Sequence, residues 1–155
     1  MQFCLFEDHF HKQLLPLTYT RAVADLRIGI STIKEKWQHL LKQNVILHTQ
    51  EYLQKDTLPV NGPVFYINSA LIPNENLVNA ILDLKDGESL KYEEKLIAIK
   101  TQEVLKSIDQ ENITKCRAWE EESILIQRPW DLFFYNDQVL KSDFSNLTKG
   151  RNSAS

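Results

Sequence analysis

The sequence has 155 residues, 43% of them hydrophobic, and a formal net charge of −3, values typical of one globular domain. The slightly acidic balance argues against a nucleic-acid or anionic-membrane partner, and no apolar run reaches membrane-spanning length. Cys4 and Cys116 are far apart and lack metal-ligand spacing, which suits a reducing compartment, so we expect a cytoplasmic domain.

The first half of the chain alternates short apolar runs with helical spacing. Between the first two runs, apolar residues at i, i+4, i+7 and i+8 predict a helix over 32–43. Thr32 and Glu35 are spaced as a capping box at its start. The continuous apolar runs predict buried strands at 2–6, 44–49 and 64–68.

The second half begins with a helix that starts at Asn74 and ends near Gly87. Apolar residues on both sides of the polar pair Glu93 and Glu94 then predict a hairpin over 89–100. The remaining predictions are a helix at 101–109, a strand at 123–127, a helix at 136–147 with Asn136 as its cap, and a tail or linker at 148–155.

This order of elements predicts an α/β fold. Continuous apolar strands favour a mostly parallel, doubly wound sheet with helices on both faces, and the hairpin adds an antiparallel strand. Ligands bind such sheets beyond the C-terminal ends of the strands, at the switch point of the topology. We therefore expect strands 2–6 and 64–68 to be adjacent, with residues 14–29 crossing that edge.

The stretch LLPLTYTRAVADLRIGI, residues 14–30, places polar groups among aliphatic ones in neither a helical nor a strand pattern. We expect a buried cluster in which Arg21 and Arg27 bind phosphate, since a guanidinium pairs with phosphate through two hydrogen bonds. Asp25 would orient one of these arginines or hold a metal. The alternative is a structural ion pair between Asp25 and one arginine.

Three further residues are candidates for substrate binding. The hydroxyls of Thr18 and Thr20 would bond a base or a phosphate, although hydroxyls in turns usually bond their own backbone. Asn68 ends the strand 64–68 and faces the same choice between a ligand contact and a turn. Further along, RPWDLFFYN at 128–136 has many aromatic residues for a loop, and we expect it to dock onto a partner domain.

PLTYTRAVADLRIG resembles the N-terminal signature of the sugar nucleotidyltransferases. Pro16, Leu17 and Thr18 match its P-L-T, and Gly29 falls where the signature has a later glycine. VFYINSALIPN is similar to the strand and loop that carry the family's metal-binding G-D pair. LLPLTYTRAVADLRIGISTIKEKW and LTKGR together resemble the N-terminal domain of a GlmU-like subgroup, in which a left-handed β-helix of acyltransferase type follows.

The resemblance implies a Rossmann-like nucleotide-diphospho-sugar transferase fold of reduced size. It implies transfer of a nucleotidyl group from an NTP to a hexose or amino-sugar 1-phosphate, with Mg²⁺ as the cofactor of an active enzyme. Residues 1–147 would form this domain, and 148–155 would lead to the C-terminal β-helix domain and to trimerisation through it. For this reaction we expect Arg21, Asp25 and Arg27 as the catalytic residues and Thr18, Thr20 and Asn68 as the substrate-binding residues.

Three positions depart from the family signature. The loop EDHFHKQLL at 7–15 has no glycine, although backbone amides need glycine to approach a phosphate closely. Val23 replaces the signature's lysine, and Ser69 and Ala70 replace the G-D pair, so a carboxylate for Mg²⁺ is missing there. These departures favour the alternative of a non-catalytic module that binds a sugar nucleotide or caps a β-helical acyltransferase.

Overall fold

The computed structural model of the chain describes residues 2–7, 10–59, 61–105, 108 and 115–148. The strands of the main sheet are β1 Gln2–Phe6, β4 Ile46–His48, β5 Val64–Asn68, β6 Glu88–Tyr92, β7 Lys95–Thr101 and β8 Lys115–Ala118. A separate pair is formed by β2 Arg27–Ile28 and β3 Ser31–Thr32. The helices are α1 Phe10–Gln13, α2 Ile33–Leu41, α3 Glu75–Leu82, α4 Pro129–Phe134 and α5 Asn136–Thr148.

The main sheet has the strand order β4-β1-β5-β7-β6-β8. Strand β1 pairs in parallel with both β4 and β5, and β6 pairs in parallel with β8. Strand β7 pairs antiparallel with both of its neighbours, so it alone runs against the other strands of this sheet. The predicted α/β class, the mostly parallel sheet and the adjacency of 2–6 and 64–68 are confirmed.

Both faces of the central strands are buried, which explains their continuous apolar runs. All five residues of β5 are buried. Alternate residues point to opposite faces, and Phe3 stacks on Phe65 in one core, with ring centroids 4.9 Å apart. Cys4 and Tyr66 belong to the core on the other face.

The helices whose side chains are described pack on one face only. Trp37 of α2, Leu77 of α3 and Val139 of α5 all belong to the core that contains Phe3. In the described part of the chain, Val104, Leu105 and Ile108 pack against the opposite face. A right-handed connection from β4 to β5 would cross that second face, but its described residues form a 3-10 turn at Glu51–Leu53 and no α-helix. Helices on both faces were predicted and are seen on one.

Local signals set the helix starts as predicted. The Thr32 hydroxyl accepts from the Glu35 backbone at 3.2 Å, and the Glu35 carboxylate accepts from the Thr32 backbone at 2.9 Å, which completes the capping box. The side chain of Asn74 accepts from the Leu77 backbone at 2.8 Å at the start of α3. The β6–β7 hairpin turns at Glu93 and Glu94, which both have positive φ, as the tight two-residue turn requires.

Several predictions for the second half are wrong. Strand β7 runs through Thr101, and the described residues of the predicted helix 101–109 are not helical. The predicted strand 123–127 makes one bridge, between Leu71 and Leu125, and no ladder. Strand β8 was not predicted because its four residues are exposed and carry no apolar run, and only backbone pairing with β6 makes it a strand.

The C-terminal part differs from the prediction in smaller ways. Asn136 is the first residue of α5, and its side chain accepts a hydrogen bond from the distant Gly29 backbone. Residues 149–155, most of the predicted linker, lie outside the described residues.

Within the described part, none of the helices combines the length and the apolar character needed to cross a bilayer. The aromatic side chains of Trp130, Phe133 and Phe134 are 63%, 84% and 77% exposed.

Candidate functional site

The C-terminal ends of three parallel strands meet at one edge of the sheet. Phe6, the last residue of β1, is in register with His48 on β4 and with Asn68 on β5. The chain leaves β1 towards β4 on one side, whereas it leaves β5 towards β6 on the other. This divergence is the switch point at which open α/β sheets bind ligands.

The turn after β5 is fastened to the sheet by its own polar side chains. Ser69 donates to the Phe6 carbonyl from its backbone at 2.8 Å and from its hydroxyl at 2.6 Å. The amide of Asn68 donates to the Leu96 carbonyl at 3.2 Å and accepts from the Ala70 backbone at 3.0 Å. These contacts give Asn68 a structural role in the turn, and its substrate contact stays a prediction.

A cavity of about 260 Å³ lies beyond the ends of β1 and β4. Its carboxylates, imidazole, amide and hydroxyl are suited to hydrogen bonds with the hydroxyl or amino groups of a ligand. Burial lowers the pKa of His48, although the nearby Glu7 carboxylate acts in the opposite direction, so the imidazole is neutral at pH 7. The lining residues are Phe6, Glu7, His48, Thr49, Gln50, Glu51 and Ile108.

The predicted ligand-binding loop is tied to this edge at two points. The Glu7 carboxylate, directly after β1, accepts from the Val23 backbone at 2.7 Å. The Tyr52 hydroxyl, which follows β4, donates to the carbonyl of the buried Thr18 at 3.5 Å. The loop therefore lies over the C-terminal ends of β1 and β4, where the sequence placed it.

We expected five polar residues of the loop to be buried among its aliphatic residues, and only Thr18 is. Thr20, Arg21, Asp25 and Arg27 are exposed. The aliphatic residues between them are buried instead, because a 3-10 turn at Val23–Asp25 and the short strand β2 direct the two kinds of side chain apart. The segment therefore separates its polar and apolar groups with neither a 2-residue nor a 3.6-residue period.

The three predicted catalytic residues do not share the cavity that Asp25 lines. In the part of the chain that the structure describes, Asp25 makes no ion pair with Arg21 or Arg27. The Arg27 guanidinium donates to the Ile30 carbonyl at 2.6 Å. Asp25 lines a different cavity of about 530 Å³, beside Lys34. The structural ion pair is thus wrong, and the catalytic roles stay predictions.

The Mg²⁺ site that the resemblance implies does not fit the residues after β5. Mg²⁺ requires oxygen ligands in octahedral geometry, usually including a carboxylate. Ala70 offers no side-chain oxygen, and the Ser69 hydroxyl is buried in its bond to Phe6. Among the described residues, no group of three or more His, Cys, Asp or Glu could hold a metal ion.

Sequence reasoning missed Glu7, His48 and Glu51, which line the cavity at the switch point. The signal was present, because Glu7 directly follows the first apolar run and His48 ends the second. The rule that ligands bind beyond strand ends points to both residues. The composition of the loop at 14–30 indicates a ligand site, whereas Glu7 and His48 are indicated only by their positions at the ends of strands.

Comparison with known proteins agrees with this fold. A family described as sugar nucleotidyl transferase matches residues 3–152, nearly the whole chain. No curated protein matches the sequence. The α/β sheet has the architecture that the resemblance implied, and the PLT-containing loop lies at the switch point, as the rule on strand ends predicted. The chain therefore belongs to the sugar nucleotidyl transferase family.

Proposed function

We propose that the domain transfers a nucleotidyl group from an NTP to a hexose or amino-sugar 1-phosphate. The observation that carries the proposal is the loop with Arg21 and Arg27, which the Glu7–Val23 hydrogen bond of 2.7 Å fastens to the switch point. Both arginines are exposed and therefore accessible to a ligand. The family match over 3–152 supports the same reaction class.

In this reaction, an oxygen of the sugar phosphate attacks the α-phosphorus of the NTP. The new phosphorus–oxygen bond forms as the bond to the β-phosphate breaks, and pyrophosphate leaves with the electron pair. Arg21 and Arg27 would oppose the negative charge on the phosphates through bidentate hydrogen bonds. The cavity with Glu7, His48 and Glu51 would accept hydrogen bonds from the hydroxyls of the nucleoside or the sugar.

The test is pyrophosphate release with a panel of NTPs and hexose or amino-sugar 1-phosphates, with and without Mg²⁺. We expect one pair of substrates to react, and Arg21→Ala or Arg27→Ala to lower kcat/KM by about 100-fold, the usual effect of losing a charge-stabilising donor. Arg117→Ala is the matched control, since Arg117 is an exposed arginine on the edge strand β8. Equal rates in all three variants would contradict the role of the loop arginines.

A second candidate is a non-catalytic module that binds a sugar nucleotide or caps a β-helical acyltransferase. Its specific support is the turn after β5, where Ser69 and Ala70 supply no carboxylate and the Asn68 amide is engaged by backbone. A nucleotide or UDP-sugar that raises the melting temperature without any pyrophosphate release would favour binding alone. If neither pyrophosphate release nor a thermal shift is observed, the role that remains is that of a structural cap on the acyltransferase.

We further propose that the exposed face of Trp130, Phe133 and Phe134 packs against a C-terminal β-helix domain, which would supply trimerisation. Contiguous exposed aromatic groups of this kind mark interaction sites. In a chain that carries such a domain, with Trp37 and Trp119 replaced by Phe, the emission of Trp130 should shift to the blue relative to the domain alone. Unchanged emission would contradict this partner.

A further inference from the structure

The turn between β2 and β3 lies against the C-terminal helix α5. Gly29 occupies this turn with a φ of +68°, a conformation that favours glycine. A Cβ atom placed on Gly29 would lie 2.5 Å from Oδ2 of Asp143 and 3.0 Å from Cγ1 of Val139. Both the backbone conformation and the space require a residue without a side chain, so the turn packs directly against the helix.

Two side chains of α5 bind consecutive amides of this turn. Oδ1 of Asn136 accepts from the Gly29 backbone at 2.9 Å, and Oδ2 of Asp143 accepts from the Ile30 backbone at 3.0 Å. Asp143 also accepts from the buried ammonium of Lys36, which donates to the Ser31 hydroxyl at 3.1 Å. Helix α5 therefore holds the turn through hydrogen bonds that span more than 100 residues of sequence.

The same turn holds Arg27. The carbonyl of Ile30 accepts from Nη1 of Arg27 at 2.6 Å, while the amide of Ile30 is bound by Asp143. The orientation of the guanidinium thus depends on a residue that α5 fixes in place. Arg27 is exposed, and the contact with Ile30 uses one of the five N–H donors of the guanidinium.

We propose that Asn136 and Asp143 are positioning residues for Arg27. This inference rests on the proposed function, because it assumes that Arg27 meets a phosphate of the substrate. An arginine held in one orientation loses less side-chain freedom when it binds phosphate than a mobile one does. Docking of the C-terminal helix would thereby set the phosphate affinity of the loop that carries Arg27.

The test is a double-mutant cycle on the binding of inorganic pyrophosphate, measured by calorimetry. Asn136→Ala should raise the Kd about fivefold, or about 1 kcal/mol at 1.4 kcal/mol per tenfold change. In an Arg27→Ala background, the same substitution should leave the Kd unchanged. Asn136→Asp retains an oxygen acceptor and should bind like the wild type. The control is Gln138→Ala, which removes an exposed amide from the same helix.

A purely structural role would give a different result, because Asn136→Ala would then weaken binding equally with and without Arg27. That additivity would overturn the proposal. A wild-type domain that binds no pyrophosphate would contradict the proposed function instead. The side-chain ¹⁵N order parameter of Arg27 then decides the positioning by itself, since it should fall in Asn136→Ala but not in Gln138→Ala. An unchanged order parameter in both variants would overturn the inference.

Discussion

Replacing Lys36 by Met tests the buried ion pair that joins α2 to α5. Lys36 is 5% exposed and Asp143 is 8% exposed, and their side chains form a direct hydrogen-bonded contact. Burial lowers the pKa of Lys36, and the hydrogen bond to Asp143 acts in the opposite direction. Without the ammonium, the Asp143 carboxylate stays buried and keeps its hydrogen bond from the Ile30 backbone.

The expected loss of stability is large. Removing one partner of a buried ion pair costs about 3–5 kcal/mol, because the other charge is left uncompensated. The free energy of unfolding of a whole domain is about 5–15 kcal/mol. With a urea m value of about 2 kcal/mol/M, a loss of about 4 kcal/mol lowers the unfolding midpoint by about 2 M.

A double-mutant cycle also removes the charge of Asp143. Asp143→Leu should cost about as much as Lys36→Met by the same mechanism. The double variant should cost well below the sum of the two, because no buried charge remains and replacing a buried ion pair by apolar residues is often nearly neutral. Its residual cost comes from the Ile30 amide and the Ser31 hydroxyl, which lose their partners.

Urea unfolding followed by tryptophan fluorescence measures these differences, since Trp37 is fully buried next to Lys36 and donates to the Leu71 carbonyl at 3.0 Å. Lys141→Met is the control, because its ion pair with Asp137 is exposed and such pairs contribute about 1 kcal/mol or less. A Lys36→Met cost no larger than that of the control would refute the reasoning. So would a double variant equal to the sum of the singles.

Three further predictions concern Gly29, the two cysteines and His48. Gly29→Ala should lower the free energy of unfolding by at least ~1–2 kcal/mol, the cost of placing a residue with a Cβ in the left-handed conformation. The loss should be larger because the new Cβ would also displace Asp143, and an unchanged melting temperature would contradict this. Burial raises the pKa of the Cys4 thiol to about 12, whereas Cys116 is exposed. A thiol reagent at pH 8 should therefore label Cys116 in the native protein and Cys4 only after unfolding. Prompt labelling of both cysteines would contradict the burial of Cys4 in the core. Burial lowers the pKa of His48, so His48 binds a proton more readily in the unfolded chain, and the free energy of unfolding should fall as the pH drops below the ordinary histidine value of 6.5. Denaturation at several pH values should show a shallower fall for His48→Gln than for the wild type. An equal fall in both proteins would count against the burial of His48.

The sequence by itself determined those elements whose signals are local or lie in one apolar run. Thr32 and Asn74 accept hydrogen bonds from amides three residues ahead, so the helix starts could be located from the spacing alone. The strands at 2–6 and 64–68 are continuous apolar runs because both faces of the sheet are covered, and the same runs indicated the parallel pairing. The PLT-containing loop carried the family resemblance, which the match over 3–152 confirmed.

Tertiary structure alone decided where the charged groups point and which distant groups meet. Strand β8 exists because its backbone pairs with β6, a contact that exposed side chains do not signal. The charges of Arg21 and Asp25 face solvent because an irregular turn between them directs the aliphatic residues inward. Lys36 and Asp143 are 107 residues apart, and in sequence each is an ordinary polar residue of a helix. Their burial makes the pairing necessary, because an unpaired charge removed from water is strongly destabilising and the folded chain places these two charges in contact.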